Sequence, residues 1–198
     1  LGEDGGSHQS VEDMALMRSL PGMVVLSPAD AVETEKMIFA VAEYEGPVYV
    51  RLGRLNIPVL FDENYKFEIG KAATLTEGND VAILATGLMV SEALEAVKLL
   101  EEKGVKVRVV NVSTIKPLDK ETVLKAAKEC KFIVTSEEHS VIGGLGSAVS
   151  EYLSEVHPTK VVKHGIQDIF GQSADGETML TNYGLRAKDI AEIVLKNL

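Results

Sequence analysis

A chain of 198 residues can form one ordinary domain, or one domain with a piece of another. Hydrophobic residues at 45% and charged residues at 25% match average soluble usage and exclude a disordered or low-complexity chain. The net charge of −10 argues against nucleic-acid binding or membrane attachment through a basic surface, though not against a local basic pocket for a phosphorylated ligand.

The single Cys130 excludes an internal disulfide framework and a multi-cysteine zinc site, and fits a reducing, cytoplasmic compartment. No apolar run approaches the roughly 20 residues that span a bilayer. The opening LGEDGGSHQS has no basic stretch followed by an apolar one, so no signal peptide is expected. It also lacks an initiator Met and is polar and Gly-rich, so the chain reads as a processed or excised piece of something longer.

Val11, Met14, Ala15 and Arg18 at helical spacing predict a helix over 11–20, stopped by Pro21-Gly22. Met23 to Leu26 is a continuous apolar run, the pattern of a strand buried on both faces. Asp30 followed by Glu33 resembles a capping box, opening a helix with Ala31, Ile38, Val41 and Ala42 on one face. Gly46-Pro47 ends it, and Val48 to Arg51 is the next strand. Residues 55–79 carry Pro58, Asp62, Asn64, Gly70, Gly78 and Asn79 between short apolar stretches, and are expected as a crossing linker with some local strand.

Beyond residue 80 the pattern is regular. Val81 to Ala85 is a strand, followed by a helix from about Ser91 with Ala93, Ala96, Val97 and Leu100 inward and Gly104 as its stop. Val105 to Val112 is the next strand, and Pro117-Leu118-Asp119 leads into a helix burying Val123, Ala126, Ala127 and Cys130. Phe132 to Val134 is a third strand, Glu137 to Gly146 a Gly-rich loop, and Ala148, Val149, Tyr152 and Leu153 mark a helix. Lys160 to Lys163 is a fourth strand, and Ile190, Ile193 and Val194 mark the last helix after a long polar loop. Strands alternating with helices imply an α/β fold, with a mostly parallel sheet covered on both faces in a three-layer αβα unit over 80–198. Residues 1–54, with two short strands and two helices, make an incomplete α/β unit that needs another polypeptide or upstream sequence to close it.

The densest polar constellation is Gly2-Glu3-Asp4-Gly5-Gly6-Ser7-His8-Gln9, just before a helix. Glycines let a backbone approach a ligand, and Asp4 and His8 offer a carboxylate and an imidazole for proton exchange. Composition alone favours a solvated terminus in which Ser7 or Asp4 caps the next helix.

The stretch GEDGGSHQSVEDMALMRSLPGMVVLSPAD resembles the transketolase loop, helix, Pro-Gly turn and strand, in residue type and spacing over some thirty positions. Gly6 stands where the family pattern often has Pro. GPVYVRLGR at 46–54 resembles the family's next strand and the arginine after it, and VVNVSTIKPLD and VTSEEHSVIGGLGSAVSE resemble the C-terminal domain shared with deoxyxylulose-phosphate synthase. The resemblance covers the whole chain: it implies the tail of a pyrimidine-binding domain over 1–54, a linker over 55–79, and a transketolase C-terminal domain over 80–198.

The resemblance implies an enzyme using thiamine diphosphate and a divalent cation (Mg2+ or Ca2+) to move a two-carbon ketol unit between sugar phosphates, as in the pentose phosphate pathway. It implies that Asp4 hydrogen-bonds a substrate hydroxyl, that His8 assists proton transfers at the reacting end, and that Arg54 binds the substrate phosphate. Gln9 only supports the loop. The family's cofactor-activating glutamate, stacking aromatic and diphosphate and metal ligands would all lie outside this chain. The expected partners are an N-terminal transketolase portion or subunit and a second copy in a homodimer through the C-terminal domain. Deoxyxylulose-phosphate synthase or the beta subunit of a 2-oxo acid dehydrogenase is the enzymatic alternative; a non-catalytic dimerisation or regulatory domain is the other.

Other candidates carry less. Gly143 to Gly146 does not match G-x-G-x-x-G and reads as a tight strand-to-helix turn. Glu137, Glu138 and His139 read as solvated or interfacial, His157 and His164 as structural, and Cys130 as a small core residue.

Overall fold

The computed structural model describes residues 2–198; Leu1, where the first expected unit begins, lies outside them. Helix α1 spans Asp13–Ser19, and its N-cap Glu12 makes no side-chain cap bond, so neither Ser7 nor Asp4 serves as its cap. Strand β1 (Val24–Leu26) is wholly buried and lies parallel to β2 (Val48–Val50).

Between them, helix α2 (Ala31–Glu43) departs from its expected face. Its buried residues are Glu33 and Met37, with Val41 packed beside them, whereas Ala31, Ile38 and Ala42 face solvent. The reason is that a carboxylate occupies the inward position and is fully bonded there. Glu33 Oε2 accepts from the Ala29 N–H at 2.7 Å, and Oε1 accepts from Tyr65 Oη at 2.7 Å and Asn111 Nδ2 at 2.9 Å. The cap is as expected on the Asp30 side, whose Oδ1 accepts from the Glu33 N–H at 2.7 Å. Its Oδ2 takes the Leu60 and Phe61 N–H groups at 2.7 and 2.8 Å, fastening the 55–65 segment over α2.

Within the segment expected as a linker, Ala73–Thr76 forms β3, which pairs antiparallel with β5 (Val107–Asn111) at the edge of a five-stranded sheet. The other strands, β4 (Val81–Ala85), β7 (Ile133–Ser140) and β8 (Val161–Ile166), are parallel, in the order β3-β5-β4-β7-β8. Period-two alternation divides β4 between two cores. Val81, Ile83 and Ala85 pack towards α3 (Met89–Glu101) and α7 (Ala187–Asn197), while Ala82 and Leu84 pack towards α4 (Lys120–Glu129) and α5 (Leu145–Val156). The two buried faces of this sheet are the reason residues 80–198 read so regularly.

Three features were not expected. Thr114–Lys116 forms β6, which pairs antiparallel with β1, so the small sheet runs β2-β1-β6 and borrows a strand from the C-terminal half. The polar loop after β8 contains α6 (Gly176–Asn182), capped by Asp175. Residues 137–140 are not loop but the continuation of β7, and of the two expected settings, solvated or interfacial, Glu138 and His139 take the interfacial one against the N-terminal unit, while Glu137 is buried.

Candidate functional site

The 2–12 loop, the start of α1 and the end of β2 enclose a cleft of about 210 Å³, lined by Asp4, His8, Gln9, Asp13, Tyr49, Arg51 and Arg54 among others. The three side chains singled out in the sequence are thus brought together, although Arg54 lies some fifty residues from the loop. Gly5, at φ 85°, turns the loop, and the His8 N–H donates to the Gly5 carbonyl at 2.9 Å. The Ser7 hydroxyl lies 3.1 Å from His8 Nδ1. Gln9 Nε2 donates to the Gly2 carbonyl, the loop-supporting contact expected of it.

Two arginines line the cleft and differ in what they are free to do. Arg51 is almost enclosed: its Nε donates to both Asp13 oxygens at 3.0 and 3.2 Å, and its Nη1 to Glu138 Oε2 at 3.0 Å. Burial pulls its pKa down, but the Glu138 and Asp13 carboxylates outweigh that and hold it above the usual guanidinium value. Tyr49 Oη donates to Asp13 Oδ2 at 2.6 Å, and burial together with that carboxylate pushes its pKa up to about 12. Removing one member of such a buried pair costs about 3–5 kcal/mol. Arg54, with its side chain 68% exposed, has among the described residues one weak ion-pair partner, Asp4 Oδ2 at 3.5 Å. An exposed pair of this kind contributes only about 0–1 kcal/mol, so Arg54 is the arginine that an anionic ligand can recruit.

The glycine-rich turn before α5 is a turn, as expected, with an added detail. The Leu145 and Gly146 N–H groups that open the helix donate to Glu137 at 2.7 and 2.9 Å. The chain's own carboxylate therefore fills the anion position that a helix N-terminus offers. His164 bonds Ser136 Oγ and the Gly184 carbonyl, a structural role, and Cys130 is buried in the core facing α4.

In open α/β sheets, ligands gather at the carboxyl ends of strands where the strand order reverses. Here that point is β4, flanked by β5 and β7, and the N-terminal unit covers it. Thr86 Oγ1 donates to the Ser27 carbonyl at 3.3 Å, and a Cβ on Gly87 would lie 2.8 Å from Ser27 Oγ. Sequence reasoning missed Arg51 and Asp13 as lining residues and Glu138 as a partner of Arg51. The adjacent Arg51 and Arg54 were visible, but only tertiary packing distinguishes the enclosed one from the open one.

Among the described residues, no group of three or more His, Cys, Asp or Glu side chains is placed to hold a metal ion, and no helix is long and apolar enough to cross a membrane.

Residues 70–190 match the family model of the transketolase C-terminal domain, and residues 1–59 that of the transketolase pyrimidine binding domain. A solved split gene transketolase, described as an inactive beta4 tetramer, is 48% identical with a TM-score of 0.91, covering 96% of this chain and 62% of that one. The 6-deoxy-6-sulfo-D-fructose transketolase subunit SqwH of Clostridium sp. (strain MSTE9) is 43% identical, matching 94% of this chain and 58% of its own length. The 1-deoxy-D-xylulose-5-phosphate synthase of Heliobacterium modesticaldum is 40% identical over 98% of this chain and 30% of its own length. The chain thus spans about three fifths of these two transketolase-named relatives and about a third of the synthase. With both family models matched in order along one α/β chain, the protein belongs to the transketolase family, as its C-terminal part.

Proposed function

We propose that this chain supplies the sugar-phosphate side of a transketolase site whose cofactor side comes from an N-terminal section or subunit. The observation that carries this reading is the convergence of Asp4, His8 and Arg54 on one cleft. Arg54 binds the substrate phosphate by charge-assisted hydrogen bonds, Asp4 accepts from a substrate hydroxyl, and His8 exchanges a proton at the reacting end. The reaction is transfer of a two-carbon ketol unit from a ketose phosphate to an aldose phosphate.

Thiamine diphosphate, with a divalent cation, supplies the carbanion chemistry that no side chain provides. The described residues do not fit that group by themselves. The cleft wall presents two carboxylates, an imidazole and two guanidinium groups, and its acids are engaged by the arginines: Asp13 pairs with Arg51 and Asp4 lies beside Arg54. No step is therefore assigned to the cofactor through these side chains.

The partner section is supported by what the chain leaves open. On α2, Ile38 and Phe39 are 46% and 66% exposed, and β2 is an edge strand that, among the described residues, pairs only with β1. Apolar helix surface beside an unpaired strand edge is the kind of face another polypeptide covers. Assembly of the whole enzyme as a dimer, in the cytoplasm, completes the proposal.

Mixing the chain with the N-terminal subunit, thiamine diphosphate and Mg2+ tests it. Ketol transfer between xylulose 5-phosphate and ribose 5-phosphate is the expected outcome; its absence, with both subunits folded, overturns the reading. A second reading rests on the 40% identity to a deoxyxylulose-phosphate synthase over nearly the whole chain. Under it the mixture condenses pyruvate with glyceraldehyde 3-phosphate instead. Unchanged kinetics in both His8→Ala and Arg54→Ala would leave the chain a purely structural part.

A further inference from the structure

Three consecutive residues at the end of β7 hold three different parts of the cleft-forming segment. Glu138 Oε2 accepts from Arg51 Nη1 at 3.0 Å, at the end of β2. His139 Nε2 accepts from the Ala15 N–H at 3.3 Å, in α1. The Ser140 N–H donates to the Val11 carbonyl at 2.7 Å, in the loop before α1. The His139 contacts fix its tautomer: Nδ1 lies 2.7 Å from the Ser140 carbonyl and so carries the proton, which leaves Nε2 as acceptor.

The β7–β8 register shifts after Ser136 and resumes at Ser140 opposite Ile166, so Glu137, Glu138 and His139 sit in an irregular stretch of the strand where it meets the N-terminal unit. A polar strand end with no task would be solvated. Instead Glu138 is 4% and His139 0% exposed, and a buried carboxylate persists only when it is paired.

Arg51 is also the last anchored residue before Arg54. Its backbone N–H donates to the Leu26 carbonyl at 2.8 Å, continuing the pairing with β1. Leu52, Gly53 and Arg54 beyond it are exposed. The direction in which β2 leaves the sheet, and hence where Arg54 emerges, depends on how Arg51 is seated. Asp13 holds that guanidinium from α1 and Glu138 holds it from the C-terminal domain.

We infer that Glu138 is a positioning residue for the phosphate end of the cleft: by seating Arg51 against Asp13 it fixes the approach of Arg54 to a substrate phosphate. The inference rests on the reading of Arg54 as the phosphate ligand. It gives the C-terminal domain a part in substrate binding besides assembly, since Glu138 belongs to that domain and acts through Arg51.

The test is Glu138→Gln, an isosteric change, in the reconstituted two-subunit enzyme. KM for the phosphorylated acceptor rises by between about ten- and a hundredfold while kcat stays within about twofold, because a misplaced binding group costs affinity for the end it holds. KM for the same acceptor without its phosphate stays unchanged. In an Arg54→Ala background Glu138→Gln adds nothing further to KM, since two residues acting through one contact are not additive. Equal losses with both acceptors, or a full additional loss beside Arg54→Ala, would reduce Glu138 to general packing and overturn the inference. If the wild-type mixture shows no ketol transfer, the substrate reading fails by itself, and hydrogen exchange on this chain decides the structural claim. Amides of residues 51–54 exchange faster in Glu138→Gln than in wild type if Glu138 seats Arg51; unchanged exchange there removes it.

Discussion

Arg54 Nε lies 3.5 Å from Asp4 Oδ2, so the side chains proposed to bind a substrate phosphate and a substrate hydroxyl are paired with each other. Both are exposed enough that water screens most of their attraction, and the pair separates at little cost. It still competes with any anion seeking Arg54. Asp4→Asn removes that competitor while keeping an amide near the substrate hydroxyl. The expected outcome is divided: inorganic phosphate inhibits the reconstituted enzyme at severalfold lower concentration, while kcat/KM for the sugar phosphate falls by about tenfold or more. Inhibition constants measured against both variants check it, and weaker phosphate inhibition in Asp4→Asn would contradict the pairing.

The contrast between the two cleft arginines gives the second prediction. Arg51→Ala removes the guanidinium that pairs with the buried carboxylates of Asp13 and Glu138 and lowers stability by about 3–5 kcal/mol. Arg54→Ala removes a side chain that is mostly in water and changes stability by less than about 1 kcal/mol. Its effect appears instead as a rise of about tenfold or more in KM for phosphorylated acceptors. Urea melts of the isolated chain and kinetics of the mixture separate the two, and a large stability loss in Arg54→Ala would refute the assignment.

The way these residues were and were not visible in the sequence follows from their physics. The parallel core was legible because strands buried on both faces read as unbroken apolar runs, as Val81 to Ala85 does. Arg54 and the 2–9 loop were assigned to a site only through a resemblance, and the fold brings them to one cleft. β6 was missed because Thr114–Lys116 forms a strand only by pairing with β1, some ninety residues earlier. Glu137 to Ser140 looked like loop because buried polar residues at an internal interface carry the composition of exposed ones. The face of α2 was misread for the same reason: Glu33 turns inward to bond Ala29, Tyr65 and Asn111, while Ile38 turns outward. Periodicity counts apolar residues and cannot see a carboxylate whose partners lie far along the chain.

Gly6 departs from the family pattern, and its surroundings give the departure a cause. A Cβ at this position would lie 2.3 Å from the Gly171 carbonyl oxygen, and the Gly6 N–H donates to Ser173 Oγ at 3.2 Å. Proline there would supply the first clash and abolish the second contact, so Gly6 and the 171–173 loop fit as a pair. Gly6→Ala is expected to lower stability by about 1–3 kcal/mol and to displace the loop that carries His8. A stability change near zero, measured by urea denaturation, would show that the 171–173 loop yields freely.

The last prediction concerns pH. Burial raises the Glu137 carboxyl from its ordinary 4.5 to about 7, against the opposing pull of the Gly146 and Leu145 N–H groups and the Lys163 and Arg18 charges. The folded value lies above the unfolded one, so between about pH 4.5 and 7 the folded chain holds a proton that the unfolded chain has released. The stability linked to this group is therefore full below the lower value and is lost as pH rises towards the upper one, the reverse of a salt-bridged carboxylate. Glu137→Gln is neutral at every pH and has nearly the same shape. Wild-type stability relative to that variant should fall across the window, by at most about 1.4 kcal/mol per pH unit, and level off above about pH 7. Denaturant melts of both chains at several pH values measure the difference directly. A gap that widens with rising pH would mean that the two N–H donors at the start of α5 hold Glu137 ionised despite its burial, and that its pKa is depressed rather than raised.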